Sequence, residues 1–185
     1  MAERLTTIRR AVPGDAAALA ELGAQTFRDA FEADNTPEDM ALYVASSYGP
    51  DLQSAELRDA GIVTLLAEGE NRLAGYSQLR EGPAPDCVGG PRPIELWRFY
   101  VERAWQGRGV AQLLMAATIE AASARGAGTV WLSVWERNHR AQAFYLKSGF
   151  EDRGEKAFIL GTDRQTDRVM ALVLQSAGPR SERID

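Results

Sequence analysis

Gln106-Gly107-Arg108-Gly109-Val110-Ala111 is the stretch whose reading decides the fold. Ahead of it, Ile94 to Val101 reads as a strand. Behind it, apolar side chains at 110, 113, 114, 117, 121 and 124 mark one face of a helix from Val110 to Ala124, and Gly126 supplies the stop. The first turn of a helix leaves N–H groups unpaired and carries a partial positive charge, which together make an anion site. Gly107 and Gly109 remove side chains so that backbone can approach a ligand, and small Ala111 keeps the turn uncrowded. A pyrophosphate fits such a junction. It is not a Walker A loop, which needs Lys and then Ser or Thr where Val110 and Ala111 stand. A dinucleotide fingerprint needs a third glycine at Gln112 and an acid roughly 20 residues on, and has neither here. Two glycines before a helix also make a tight turn with no ligand, so the loop alone assigns nothing.

Outward from this junction the chain alternates strands and helices. Leu5 to Arg10 reads as a short strand ended by Pro13-Gly14-Asp15, with Asp15 placed to cap a helix carrying Ala18, Leu19 and Leu22. Thr36-Pro37-Glu38-Asp39 starts a second helix, with a capping hydroxyl, proline at the first position and an acid at the third; it runs to about Tyr48 and stops at Gly49-Pro50. Ile62 to Ala67 and Leu73 to Leu79, parted by Gly69-Glu70-Asn71, read as an antiparallel hairpin. Gly82 to Pro93 is a loop rich in proline and glycine. After the central helix come a strand from Thr129 to Trp135, a helix from about Arg140 to Lys147, and strands near Ala157–Leu160 and Val169–Leu174. The order β-α-α-β-β-β-α-β-α-β-β predicts a mixed α/β sheet. One domain is expected over 5–176, with a polar tail at 177–185 that frays.

Composition narrows the function. The 185 residues hold 26 acids against 21 Lys and Arg, a formal charge of −5, which argues against a nucleic-acid binder. A single cysteine, Cys87, excludes a disulfide framework and a thiolate zinc cluster, and a single histidine, His139, excludes a histidine-rich metal site, so no metal is expected. No run of about 18 apolar residues spans a membrane. Met1-Ala2-Glu3-Arg4 lacks the apolar stretch of a signal peptide, which points to the cytoplasm.

A second constellation lies about thirty residues beyond the first: Asn138-x-x-Ala141-x-x-Phe144-Tyr145-x-Lys147-x-Gly149-Phe150. Asn138 can cap the helix or offer its amide to a ligand. Phe144 and Tyr145 read either as core or as cleft residues, and a buried tyrosine hydroxyl needs a partner, which makes it available as a proton donor. With Gln106-x-x-Gly109-x-Ala111, this pattern resembles the GCN5-related N-acetyltransferases from Ile8 to Leu174. Narrower stretches are similar to PaiA-type spermine/spermidine acetyltransferases: Phe31 to Tyr43, Trp135-Glu136-Arg137-Asn138, and Leu160-Gly161 followed by Gln165-Thr166-Asp167-x-x-Met170.

The resemblance implies a mostly antiparallel sheet of about seven strands with flanking helices, splayed between the fourth and fifth strands. It implies acetyl-CoA as co-substrate. The backbone of Phe99, Tyr100 and Val101 would pair with the pantetheine arm, and an N–H there would polarise the acetyl carbonyl. Gln106, Gly107, Arg108, Gly109, Val110 and Ala111 would hold the pyrophosphate, Asn138 the cofactor arm, and Lys147 the nucleotide phosphates, although Lys147 reads equally as a solvated helix end. Tyr145 would protonate the departing thiolate. For the base that deprotonates the amine, Glu95 is the first candidate, acting directly or through water, and Glu136 the second; His139 and Cys87 rank below both. Direct transfer in a ternary complex is expected.

Between Arg28 and Asp39 stand five acids (Asp29, Glu32, Asp34, Glu38 and Asp39) and one base, a local sum of −4. In the family this region walls the acceptor side of the cleft, where acids would draw a cation. Glu32 and Asp34 are therefore substrate-binding candidates, with Phe27 and Phe31 lining the wall for an aliphatic chain. The same acids also stabilise a helix start, as Glu38 and Asp39 are placed to do. The expected acceptor is a small polycationic amine such as a polyamine. A protein N-terminus or lysine is the rival, and a non-catalytic acetyl-CoA sensor the reading from another class. Dimers are common among proteins resembling this one.

Overall fold

The computed structural model describes residues 6–174; Leu5 and the polar tail expected over 177–185 lie outside them. The chain runs through β1 (Thr7–Arg10), α1 (Ala16–Phe31), α2 (Pro37–Ser47), α3 (Pro50–Arg58), β2 (Ile62–Gly69), β3 (Arg72–Arg80), β4 (Pro93–Val101), α4 (Val110–Ala124), β5 (Thr129–Trp135), α5 (His139–Lys147), β6 (Glu151–Leu160) and β7 (Asp163–Val173). The strands form one sheet in the order β1-β2-β3-β4-β5-β7-β6. Every neighbouring pair is antiparallel except β4 with β5. This is the mixed, mostly antiparallel sheet that the resemblance implied.

Adjacent residues of a strand face opposite ways, and the two faces bury different helices. Leu65 and Val130 pack with Val110, Leu114 and Met115 of α4 and with Tyr145 of α5. Their neighbours face the other side, where Leu66 packs with Leu19 and Leu22 of α1. Trp131 lies there too, under Val88 of the Gly82–Pro93 loop. Phe27, Met40, Tyr48 and Leu160 extend this second layer beneath α2.

Local chemistry accounts for most boundaries. Thr36 Oγ1 accepts from Asp39 N at 3.2 Å with Pro37 at the first helical position, as the sequence predicts. The β2–β3 hairpin closes on Glu70 and Asn71, both with positive φ, the twist that a two-residue turn needs.

Four expectations need correction. Asp15 does not cap α1: its carboxylate accepts from Arg9 at 2.7 and 2.8 Å and from Val12 N, which ties β1 to the turn before the helix. Gly49-Pro50 ends α2 but also starts α3, with Pro50 at its first position. The buried face of α4 is Val110, Leu114, Met115, Thr118 and Ala122, whereas Leu113 is 51% exposed. The rotation follows from Thr118, whose hydroxyl finds Leu114 O and Ser77 Oγ at 2.7 Å each and so can be buried. Last, β6 and β7 are far longer than their apolar segments. The added parts, residues 151–156 of β6 and 163–168 of β7, are rich in charge, and Arg168 pairs across the strands with Asp152 and Glu155.

Candidate active site

β4 and β5 are hydrogen-bonded only over Pro93–Thr129, Ile94–Val130 and Glu95–Trp131. Beyond Glu95 they part, because each continues with its other neighbour. Arg98 to Val101 stay in register with β3, and Leu132 to Trp135 with β7. A bulge opposite Gln78 and Leu79 leaves Trp97 unpaired, which adds local twist where the strands separate. The β4 edge beyond Glu95 therefore turns backbone N–H and C=O groups toward a gap. A cavity of about 570 Å³ occupies it, lined from the α4–α5 side by Ala111, Asn138, Phe144 and Tyr145 and from the other side by Phe27, Tyr43, Trp135 and Asp167.

On the α4–α5 side, Gly109 caps α4 in the left-handed region at φ 81° and Gly107 stands at φ 75°; a Cβ on either would meet nothing within 4 Å. The conformation, rather than crowding, asks for glycine, and the space beside the helix start is open. A second cavity of about 260 Å³ lies there, lined by Gly107, Gly109, Gln112 and Gln106. It shares Val101, Gln106, Ala111, Arg140 and Phe144 with the larger one. Open backbone, a helix N-terminus and a continuous path to the β4 edge fit a pyrophosphate with a pantetheine arm. Asn138 Oδ1 accepts from Ala141 N at 3.0 Å and caps α5, which leaves its amide N–H₂ for a ligand. Gln106 Nε2 donates to Val101 O at 3.0 Å and braces the loop against the strand that it follows.

Three of the expected cofactor-binding residues do not turn their side chains into either cavity. Val110 is 1% exposed with its side chain in the core, so only its backbone N–H remains for a ligand. Arg108 lies over the Trp105 ring at 5.6 Å and lines neither cavity. Lys147, in the last turn of α5, is exposed and away from both. The cation that does line both cavities is Arg140. It lies two residues past the Asn138 cap, and that position in the first turn of a helix was the sequence signal for it.

Tyr145 lines the gap, and among the described residues its ring meets Phe99, Phe144 and Phe150 at centroid distances of 6.3, 5.6 and 5.8 Å. Burial pushes its hydroxyl well above the usual tyrosine range, so it holds its proton at neutral pH. Glu95 is buried at the closed end of the gap, and its Oε2 accepts from Arg80 Nε and Nη2 at 3.0 and 2.6 Å. Glu136 and His139 are exposed and outside the cavity lining.

The acceptor wall differs from the expected one. Phe27 and Phe31 do line the cavity, Phe27 stacking on Tyr43 at 4.3 Å and Phe31 meeting Trp135 edge-on at 6.0 Å. Glu32 and Asp34 do not: both are exposed, past the end of α1, where the helical period that turns Phe27 and Phe31 inward has run out. Of the five acids, Asp29 alone is in the lining. Asp39 is buried as a fastener, its Oδ1 accepting from Thr162 N and Oγ1 at 2.6 and 2.9 Å. Gly161 is needed beside it, since at φ 62° a Cβ would collide with Asp39. The buried carboxylate that sequence reading left without a role is Asp167, 5% exposed and pointing to the cavity from β7. Burial raises its pKa, against the Ser133 hydroxyl and Lys156, which lower it.

A parted parallel pair, an anion-binding helix start on one face and an aromatic chamber on the other define an acyl-CoA-dependent transferase. Residues 24–150 match the model of the acetyltransferase (GNAT) family, and the chain belongs to that family. It is 34% identical over 156 residues to the uncharacterized N-acetyltransferase Rv2669 of Mycobacterium tuberculosis, covering 84% of this chain and 96% of that one. It is 32% identical over 150 residues to an uncharacterized N-acetyltransferase in the pepI 3' region of Lactobacillus delbrueckii subsp. lactis, covering 81% and 87%. The fold is shared with the PaiA N-acetyltransferase of Thermoplasma acidophilum, solved in complex with coenzyme A, at a TM-score of 0.77 and 18% identity over 92% of this chain and 99% of that one. The protein is an N-acetyltransferase that uses acetyl-CoA as co-substrate. No helix among the described residues is long and apolar enough to cross a membrane.

Proposed function

We propose that the chain transfers acetyl from acetyl-CoA directly to the primary amine of a small aliphatic acceptor, polyamines being the first to try. The observation that carries this reading is the single cavity that crosses the sheet. Its volume of about 570 Å³ falls within the range of small-molecule sites, roughly 300–1,000 Å³. Its far chamber is walled by Phe27, Phe31, Tyr43 and Phe158, surfaces that suit a methylene chain.

In this reading the thioester lies along the β4 edge, and a backbone N–H of Phe99 to Val101 polarises the acetyl carbonyl as charge builds on its oxygen. The amine nitrogen attacks the carbonyl carbon, the C–S bond breaks, Tyr145 gives its proton to the sulfur, and the surplus proton that the nitrogen sheds as the amide forms restores the Tyr145 hydroxyl. A thiol with a pKa of about 8.5 is a tolerable leaving group, and a positioned O–H improves it. The amine must lose a proton, since an alkylamine with a pKa of about 10 is mostly ammonium at neutral pH. Glu95 receives that proton through a relay of several waters. It stands four residues before Phe99, or about 13 Å along the strand, and the Arg80 pair leaves only Oε1 uncommitted. The acids of the 28–39 segment take no part beyond Asp29, so affinity for a cation arises inside the chamber.

The test is release of free thiol from acetyl-CoA in the presence of n-butylamine, 1,4-diaminobutane, spermidine and a peptide with a free N-terminus. Acetylation of at least one of the small amines, faster than of the peptide, is the expected result. Release with the peptide alone would overturn the reading.

A further inference from the structure

We propose that Asp167, with the Ser133 hydroxyl and the rings of Tyr43 and Trp135, forms the binding site for the acceptor's ammonium group. The proposal rests on the small-amine reading above and locates the charge that it recognises. The register fixes the neighbourhood. Asp167 lies opposite Trp135 on β5 and opposite Lys156 on β6, and Ser133, two residues before Trp135, shares their face. All of these line the cavity on the α1–α2 side, at the end where β4 and β5 have parted.

Three carboxylates reach this cavity, and two already have partners. Glu95 is held by both N–H groups of Arg80, and Asp29 accepts from Gln25 Nε2 at 2.9 Å while remaining half-exposed. Asp167 is the most buried of the three, at 5% exposure, and makes no salt bridge within 4 Å among the described residues. The cation opposite it in register, Lys156, is directed instead over the Trp131 ring, with Nζ 5.5 Å from the centroid. A carboxylate taken out of water is costly unless a charged or hydrogen-bonding partner replaces the water. Here Ser133 and Lys156 are its polar neighbours in the sheet, and the carboxylate faces the cavity. An alkylammonium completes it, with three N–H donors for the carboxylate and the rings of Tyr43 and Trp135 in the same cavity wall. A neutral amide or an anion of the same length meets a desolvated negative charge instead.

The experiment is calorimetric titration of the full chain, saturated with coenzyme A, with n-butylamine, 1,4-diaminobutane, spermidine and, as neutral control, butyramide. Wild type is expected to bind the amines and not butyramide. Asp167→Asn, which keeps the shape, is expected to weaken amine binding at least tenfold while coenzyme A affinity stays within about twofold, which also reports that the variant folds. Asp167→Glu is expected to retain part of the affinity. The proposal is overturned if wild type binds none of the amines, or if Asp167→Asn binds them as wild type does. Amines that bind at Asp167 but release no thiol from acetyl-CoA would sink the small-amine transferase reading and leave this site standing.

Discussion

Tyr145 owes its place to three aromatic neighbours and to the helix that follows Asn138, not to a side-chain hydrogen bond among the described residues. Tyr145→Phe removes one oxygen from a packed ring, so its cost to folding is small, and its cost to catalysis reads the proton alone. Turnover is expected to fall roughly 10²- to 10⁴-fold, the usual range for a positioned acid, with the KM for acetyl-CoA little changed. Unchanged kcat would remove Tyr145 from the reaction. The raised pKa adds a constraint of sign: the protonated form is the active one and persists above the usual tyrosine value of about 10, so no basic limb below that pH comes from Tyr145. The double variant Glu32→Gln, Asp34→Asn is expected to leave the KM for spermidine within about twofold, because both side chains sit in solvent outside the chamber. A rise of tenfold would restore them as a wall. Gly109 and Asn138 were legible in the sequence because each works within its own turn, and Tyr145 was a candidate through the family pattern that surrounds it. Asp167 was not, because its meaning comes from Trp135 and Lys156, which lie 32 and 11 residues away in the chain and meet it only through strand pairing.

At the scale of elements, α3 shows why a boundary signal is not a direction. Proline ends one helix by lacking an N–H and starts the next by its fixed φ, and Gly49-Pro50 does both. What then holds α3 to the sheet is Glu56, whose carboxylate accepts from Arg98 Nη1 at 2.7 and 3.0 Å and from Gln78 Nε2 at 3.0 Å. Arg98 is 6% exposed, so Glu56→Ala leaves a buried guanidinium without its counter-charge and is expected to cost about 3–5 kcal/mol in chemical denaturation. A loss under about 1 kcal/mol would mean that Gln78 and the Ser47 carbonyl suffice for Arg98. The effect reaches the site, since Arg98 also lines the cavity and stacks on Trp97 at 3.8 Å. Periodicity found β2 to β5 because both of their faces are covered. It found only the apolar ends of β6 and β7, because an edge hairpin of Glu, Asp, Arg and Lys carries no alternation that a hydrophobic pattern can register.

For the molecule as a whole, the proposed function makes the sheet the partition between two substrates. The helix start, Asn138 and Arg140 lie on the α4–α5 face, Asp167 and the aromatic chamber on the α1–α2 face, and the parted strands are the passage between them. A thiol-borne double displacement needs a cysteine in that passage, and the one cysteine, Cys87, lies in the exposed loop away from it. In the direct-transfer reading proposed above, both substrates are bound together. Initial rates at several fixed amine concentrations are expected to give intersecting double-reciprocal lines, whereas parallel lines would sink direct transfer. The same partition makes cofactor binding independent of the acceptor. Acetyl-CoA at about 100 times its Kd stabilises a native-only binder by about 2.7 kcal/mol. For a chain of this size that is a rise in Tm of roughly 5–11 °C. The rise is expected without any amine present, and equally in Asp167→Asn. A Tm rise that appears only when amine is added would mean that the chamber must fill before the cofactor face is formed, and the two faces would then be one site.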